Sequence, residues 1–283
     1  DRRQRQYRRG VRRHRRGDLE GGASMIVCKS AAELESMAAA NQVVATVLGE
    51  LMSRCKPGTT TGELDQYAEA RGRELGGEPA FKGYRGFTGT LCTSLNEELV
   101  HGIPSRTRRL APGDIISIDL GVRLDGYYGD SAVTIPVGKI DPEVERLLDV
   151  TRESLERAIE QCRPGRRVGD IGHAVQQYVE SEGFSIVRDF VGHGIGTALH
   201  EEPQVPNFGN AGVGARLRPG MVLAIEPMVN LGRPEVEVLD DGWTAVAADR
   251  RPSAHFEHSV AITEDGPWVL SARDAVAHAR SAV

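Results

Sequence analysis

Cysteine is scarce in this sequence, and its spacing marks no site. Cys28, Cys55, Cys92 and Cys162 form no C-x-x-C pair, which excludes a zinc ribbon and offers no disulfide framework. A reducing, cytoplasmic setting is the expectation. Long apolar runs are missing too. No uncharged stretch approaches the roughly 18 residues of a membrane-spanning helix, so no membrane partner is expected. Aromatics number only 14 of 283 residues, yet 40% of the chain is apolar, too much for a disordered polymer. The G-x-G-x-x-G fingerprint is absent as well. Gly192-His193-Gly194-Ile195-Gly196 has the wrong spacing and no strand–helix unit with a later acid, which excludes a dinucleotide.

The net charge of −5 conceals an asymmetry. Residues 1–24 carry nine Arg against Asp1, Asp18 and Glu20, a balance of +6 that leaves −11 on residues 25–283. A basic tail on an acidic body can hold phosphate backbones without sequence preference. It lacks the apolar segment of a secretory signal and reads as a disordered extension ahead of a start at Met25, outside the fold.

The body repeats itself. Cys55-Lys56-Pro57-Gly58 followed by Gly62-Glu63-Leu64 matches Cys162-Arg163-Pro164-Gly165 followed by Gly169-Asp170-Ile171. Leu110-Ala111-Pro112-Gly113 leading to Ile118-Asp119 matches Leu217-Arg218-Pro219-Gly220 leading to Ile225-Glu226. Both matches are displaced by 107 positions, so one unit occurs twice, at about 30–137 and 141–263 of a single domain spanning 25–283. Each half reads as two helices followed by β-rich runs: helices over 31–54, 62–76, 142–161 and 169–182, strands over 114–122, 127–137, 220–230 and 254–263. The pattern predicts an α+β body with helices covering a central antiparallel sheet.

Carboxylates fall at awkward places in those strands. Asp119 stands between Ile118 and Leu120, and Asp130 follows Gly129 across the Asp125-Gly126 turn. A four-residue loop sets the two directly opposite; a two-residue loop makes them diagonal neighbours on one face. Either register places like charges together, which a bound divalent cation would relieve. By the repeat, Glu226 occupies the position of Asp119, and Glu257 supplies a further carboxylate beyond about 20 extra polar residues near 232–251 that include Trp243. His193, between glycines, fits a loop histidine as well as a ligand. Asp119, Asp130, His193, Glu226 and Glu257 together make an oxygen-rich set with one imidazole, suited to two divalent ions about 3.5–4 Å apart. The lack of thiolates disfavours structural zinc and leaves Mn²⁺, Fe²⁺, Co²⁺ or catalytic Zn²⁺. His255 and His258 flank Glu257 and read as supporting residues; His173 and His278 read as ordinary helix and tail histidines.

These motifs, in order from about Met25 to Leu270, resemble a type I methionine aminopeptidase of the pita-bread fold. The resemblance rests on Asn96-Glu97-Glu98 with His101-Gly102-Ile103-Pro104, Ile118-Asp119-Leu120-Gly121, Gly129-Asp130, Gly192-His193-Gly194-Ile195-Gly196, His200-Glu201-Glu202-Pro203, Ile225-Glu226-Pro227-Met228 and Phe256-Glu257-His258. It implies two pseudo-symmetric halves around a curved sheet. It also implies that Asp119 holds one metal, His193 and Glu226 the other, with Asp130 and Glu257 bridging, and that a bridging water is the nucleophile. His200 would stabilise the oxyanion, His101 would contact the scissile amide, and Glu226 would accept the water's proton. Phe81, Tyr84, Phe87, Cys92, Leu199 and Trp243 match the methionine pocket, although ordinary core packing would also explain them. Phe81, Phe87 and Leu199 depart from the Cys, Tyr and Phe of some members.

The implied substrate is a nascent peptide N-terminus with a small second residue. No Cys/His finger precedes Met25 and no long insertion interrupts the second half, which separates the chain from eukaryotic and type II forms. A monomer is expected, with ribosomal RNA as a partner of the Arg-rich tail. Two competitors remain: a proline-specific peptidase of the same fold, and a non-catalytic module tethered to nucleic acid by its tail.

Overall fold

A computed structural model describes residues 25–273; the basic tail over 1–24 and His278 lie outside the described residues. Four α-helices and fifteen strands, numbered here in chain order, are present among them. α1 (Ala31–Met52) starts at a capping box, in which Ser30 accepts the Glu33 N–H and the Glu33 carboxylate accepts the Ser30 N–H. Its apolar spacing buries Leu34, Met37, Val44, Val47, Leu48 and Leu51 on one side. α2 (Thr61–Glu74) has the same box from Thr60 and Glu63. α3 (Pro142–Glu160) begins with Asp141 as cap and proline in the first turn, and α4 (Val168–Ser181) completes the second pair.

The 107-residue displacement recurs in backbone hydrogen bonds. The Gly58 N–H donates to the Leu110 carbonyl at 2.8 Å, and the Gly165 N–H donates to Leu217 at 3.1 Å. Leu110 returns a bond to Thr59 at 2.9 Å, as Leu217 does to Arg166 at 2.7 Å. The Pro-Gly turns of the two halves are therefore tied to equivalent segments. α1 packs on the first-half strands and α3 on the second-half strands, around a core that draws residues from both halves.

Every strand pairing among the described residues is antiparallel. In the first half, β4 (Ile115–Leu124) lies between β2 (Leu91–Leu95) and β5 (Tyr127–Pro136), with β1 (Glu78–Pro79) also on β4. The β4–β5 turn is the two-residue Asp125-Gly126, both with positive φ (49° and 88°), as a type I′ hairpin demands. Asp119 therefore pairs with Ala132, and Gly121 with Asp130, which makes the two aspartates diagonal neighbours on one face.

The second half departs from the expected continuous strands. The run over 220–230 breaks at Glu226-Pro227 into β9 (Val222–Ile225) and β10 (Met228–Asn230), and the run over 254–263 breaks at Phe256-Glu257 into β13 (Ser253–His255) and β14 (His258–Thr263). Pro227 has no N–H for the ladder, so the strand changes partners there. β9 and β14 belong to a five-stranded sheet with β7 (Gly192–Gly194), β8 (Glu201–Val205) and β15 (Gly266–Val269); β10 pairs with β13 on one side and with β6 (Ser185–Ile186) on the other. Both breaks fall at glutamates. The polar stretch near 232–251 also forms a hairpin, β11 (Val236–Val238) and β12 (Ala245–Ala247), which adds to β3 (Glu98–Val100). No helix among the described residues is long and apolar enough to cross a membrane.

Candidate active site

Each carboxylate of interest arrives on a separate strand or strand break. Asp119 sits on β4 opposite Cys92, Asp130 on β5, Glu226 at the β9–β10 break and Glu257 at the β13–β14 break. His193 comes from β7. The structure brings all five together. Donor atoms of Asp130, His193 and Glu257 lie within 4.8 Å of one another, and all three residues are buried. Asp119 and Asp130 are within hydrogen-bonding reach of each other. Glu226 Oε1 lies 3.6 Å from His193 Nε2, and Glu226 Oε2 lies 3.7 Å from His255 Nε2.

Hydroxyl side chains staple the strands that carry this cluster. Ser259 donates to the Asp130 carbonyl at 2.8 Å and accepts the Asp130 N–H at 3.3 Å. Ser131 donates to the Glu257 carbonyl at 2.6 Å, and Thr134 donates to that of His255 at 2.8 Å. These bonds hold β5 of the first half against the β13–β14 break of the second. Sequence reasoning passed over these residues, whose signal is a set of hydroxyls inside apolar strands.

So many carboxyls in little water cannot all ionise unaided. Burial, with repulsion from neighbouring carboxylates, holds Asp130 and Glu257 well above the usual carboxylate range. Burial pushes Asp119 and Glu226 up to about 7. Asp119 Oδ1 and Asp130 Oδ1 are buried without any hydrogen-bond partner. Orphaned oxygens beside an imidazole nitrogen and no thiolate form a donor set that suits a hard or borderline divalent cation. His193 is prepared for such a role: a carbonyl only accepts, so Nδ1–H donates to Gly194 at 2.8 Å and leaves the Nε2 lone pair facing the carboxylates.

The other histidines divide by surroundings. The His200 ring centre lies 4.2 Å from that of His193, and Tyr84 Oη is 2.9 Å from His200 Nδ1. His200 is exposed, yet the protein packed around its ring and repulsion from His193 push its pKa below the usual value, so it is neutral. His101 has a positive φ of 61° and sits edge-on to Phe190 and Trp243, at 5.5 and 6.4 Å between ring centres. Trp243 is fixed by Asp241, which accepts the N–H groups of Trp243 and Thr244, and the β11–β12 hairpin brings it there. His258 turns away to Ser271 at 2.8 Å, and His173 hydrogen-bonds the Gly209 carbonyl at 3.2 Å.

An apolar cluster adjoins the carboxylates. Phe81, Phe87, Cys92 and Leu199 are buried in it, with Tyr84 and Trp243 packed against it. Gly121 leaves room for Phe81, because a Cβ there would lie 2.6 Å from the phenyl ring. Burial, reinforced by Asp119 and Asp130, holds the Cys92 thiol protonated, so it is no nucleophile. All four cysteines are free thiols.

Comparison with known proteins places this geometry in context. The profile of metallopeptidase family M24 matches residues 35–264. The chain is 54% identical to methionine aminopeptidase 1 of Bacillus subtilis over 247 residues, covering 87% of this chain and 99% of that protein. It is 44% identical to methionine aminopeptidase 1 of Mycobacterium tuberculosis, covering 88% and 96%. The crystal structure of a methionine aminopeptidase from Thermotoga maritima superposes with a TM-score of 0.86 at 47% identity, covering 87% of this chain and 99% of that one. A prolidase from Pyrococcus horikoshii, at 22% identity and a TM-score of 0.71, shares the fold, and this chain spans 64% of its length.

Proposed function

Because the chain belongs to metallopeptidase family M24, in its type I methionine aminopeptidase branch, and removes N-terminal methionine, we propose that Asp119, Asp130, His193, Glu226 and Glu257 hold two divalent ions for that hydrolysis. In this reading Asp119 would serve one ion, His193 and Glu226 the other, and Asp130 and Glu257 would be shared. Four ionised carboxylates balance the charge of two such ions, which supports the count. Bound there, the ions lower the pKa of the attacking water and polarise the scissile carbonyl, as in two-metal hydrolases generally. Co²⁺, Mn²⁺, Fe²⁺ and Zn²⁺ all suit the donors.

The protein's own groups do the rest. Glu226, ionised in the loaded site, accepts the proton of the attacking water. His200, neutral and hydrogen-bonded at Nδ1, donates from Nε2 to the oxygen that gains charge. His101 meets the scissile amide on the leaving side. The cluster of Phe81, Tyr84, Phe87, Cys92, Leu199 and Trp243 receives the unbranched thioether, for which aromatic surface is a good match. The substrate is a nascent chain whose second residue is small, and the enzyme works as a cytoplasmic monomer. The tail over 1–24, outside the described residues, adds affinity for ribosomal RNA; its removal should lower ribosome cosedimentation at low salt, and unchanged cosedimentation refutes that part.

The single observation behind this function is the meeting of Asp130, His193 and Glu257 within 4.8 Å from strands of both halves. The test reloads metal-free protein with one divalent ion at a time and follows release from Met-Ala-Ser. Methionine release with at least one of these divalent ions, and no cleavage of an Ala-Pro dipeptide, is expected. Cleavage of Ala-Pro alone would favour a proline-specific enzyme, and activity without any metal would remove the metal reading.

A further inference from the structure

Two glycines from separate motifs leave a slot for one lysine. A Cβ on Gly196 would lie 2.5 Å from Lys29 Cε, and one on Gly220, whose φ is 88°, would lie 2.6 Å from the Lys29 carbonyl oxygen. The Lys29 N–H donates to the Gly220 carbonyl at 2.7 Å. Its side chain is only 4% exposed, and Nζ reaches Glu201 Oε2 at 2.5 Å across 172 positions of sequence. A buried ammonium needs such a partner, and the pair is strongly interdependent. The Val27 carbonyl at 3.3 Å takes a further Nζ proton.

Glu201 uses its other oxygen on its own loop. Oε1 accepts the Ala198 N–H at 3.2 Å, which closes residues 198–201 on themselves. Leu199 and His200 are displayed by that closed loop, one into the apolar cluster and the other beside His193. The loop is also anchored at its start, where Gly196 accepts the Tyr128 N–H at 2.9 Å and donates to Ala198 at 3.1 Å, at His200 by Tyr84, and at its end, where Glu201 pairs with Gly194. Thr197 and Ala198 themselves are exposed.

We propose that Lys29 is a positioning residue for methionine removal: through Glu201 it fixes the loop that presents Leu199 and His200, without itself touching substrate. This rests on His200 acting as the oxyanion donor. A misplacement of about 1 Å in such a group can cost on the order of 10²-fold in rate.

The test combines turnover with hydrogen exchange on the full chain. K29M should lower kcat by about 10-fold to 10²-fold with metal content unchanged. In an H200A background K29M should add less than about twofold, because the two act through one group. In metal-free protein, peptides covering 194–202 should exchange faster in K29M than in the unaltered chain, while those of α1 should not. Full loss from K29M on top of H200A, or unchanged turnover and exchange in K29M, overturns the proposal. E201Q serves the same comparison if K29M does not fold. H200A with full turnover would instead refute the His200 reading, leaving the exchange rates to decide whether Lys29 tethers the loop.

Discussion

His193 turns Nε2 toward Glu226 Oε1 at 3.6 Å while its Nδ1–H is held by the Gly194 carbonyl at 2.8 Å. The peptide carbonyl thereby sets the tautomer, and the lone pair left over faces Glu226, with Asp130 and Glu257 close by. Even partners outside a ligand shell alter metal affinity or activity by 10–100-fold, so His193→Ala should cost about 10²-fold or more in turnover and lose bound metal. Elemental analysis after gel filtration checks this. Metal content equal to that of the unaltered protein would show that His193 is not a ligand.

Tyr84 and His200 separate binding from catalysis. His200→Ala should leave metal content near normal and reduce kcat by about 10²-fold or more, the loss typical of an oxyanion donor. Tyr84→Phe keeps the ring in the pocket but removes the oxygen 2.9 Å from His200 Nδ1. Its kcat should fall by less than that of His200→Ala, with KM for Met-Ala-Ser little changed. A rise in KM alone would make Tyr84 a pocket wall and nothing more.

The buried carboxyls predict how metal-free protein responds to pH. Asp119 and Glu226 are raised to about 7, and Asp130 and Glu257 are raised well above the usual carboxylate range, all by burial first. The folded chain therefore binds more protons than the unfolded one, and this stability is complete below the ordinary carboxylate pKa and lost as pH rises through the raised values. His200, His255 and His258, all lowered by burial, act in the opposite direction below about 6.5. The informative window accordingly opens at about pH 6.5, above the histidines, where the Tm of metal-free protein should fall as pH rises, less so in Asp130→Asn. Saturating metal should reverse the slope, because ions bind the deprotonated groups. A metal-free Tm that rises across this window contradicts the account.

Ser259 tests the staple between the halves. It is fully buried and bonded to both backbone groups of Asp130. Ser259→Ala should cost about 1–3 kcal/mol in unfolding free energy. Metal affinity should weaken by about 10-fold, since the carboxylate loses its backbone support. Denaturant melts and metal titration measure the two effects. Loss of stability with unaltered affinity would make Ser259 a packing residue only.

Much of the α+β architecture was legible because it is local or repeated. Apolar spacing marks α1, Pro-Gly turns mark helix ends, and the displacement of 107 links Asp119 to Glu226. Asp125-Gly126 named its hairpin, although the choice between registers needed the structure. The breaks at Glu226-Pro227 and Phe256-Glu257 were not legible, since a strand that changes partner keeps its apolar pattern. The β11–β12 hairpin hid in polar sequence because it pairs with β3, far back in the chain. Lys29 and Ser259 escaped for the same reason: their partners, Glu201 and Asp130, are more than a hundred positions away.

Metal titration of Asp130→Asn beside the unaltered protein tests the central claim most directly. Calorimetry of metal-free protein with Mn²⁺ should give two ions per chain for the unaltered sequence, with Met-Ala-Ser cleavage rising as they bind. Asp130→Asn, which keeps the shape but removes one shared charge, should lose at least one of those ions and the cleavage with it. Two ions bound at undiminished affinity by Asp130→Asn, with full cleavage, would contradict the shared metal centre.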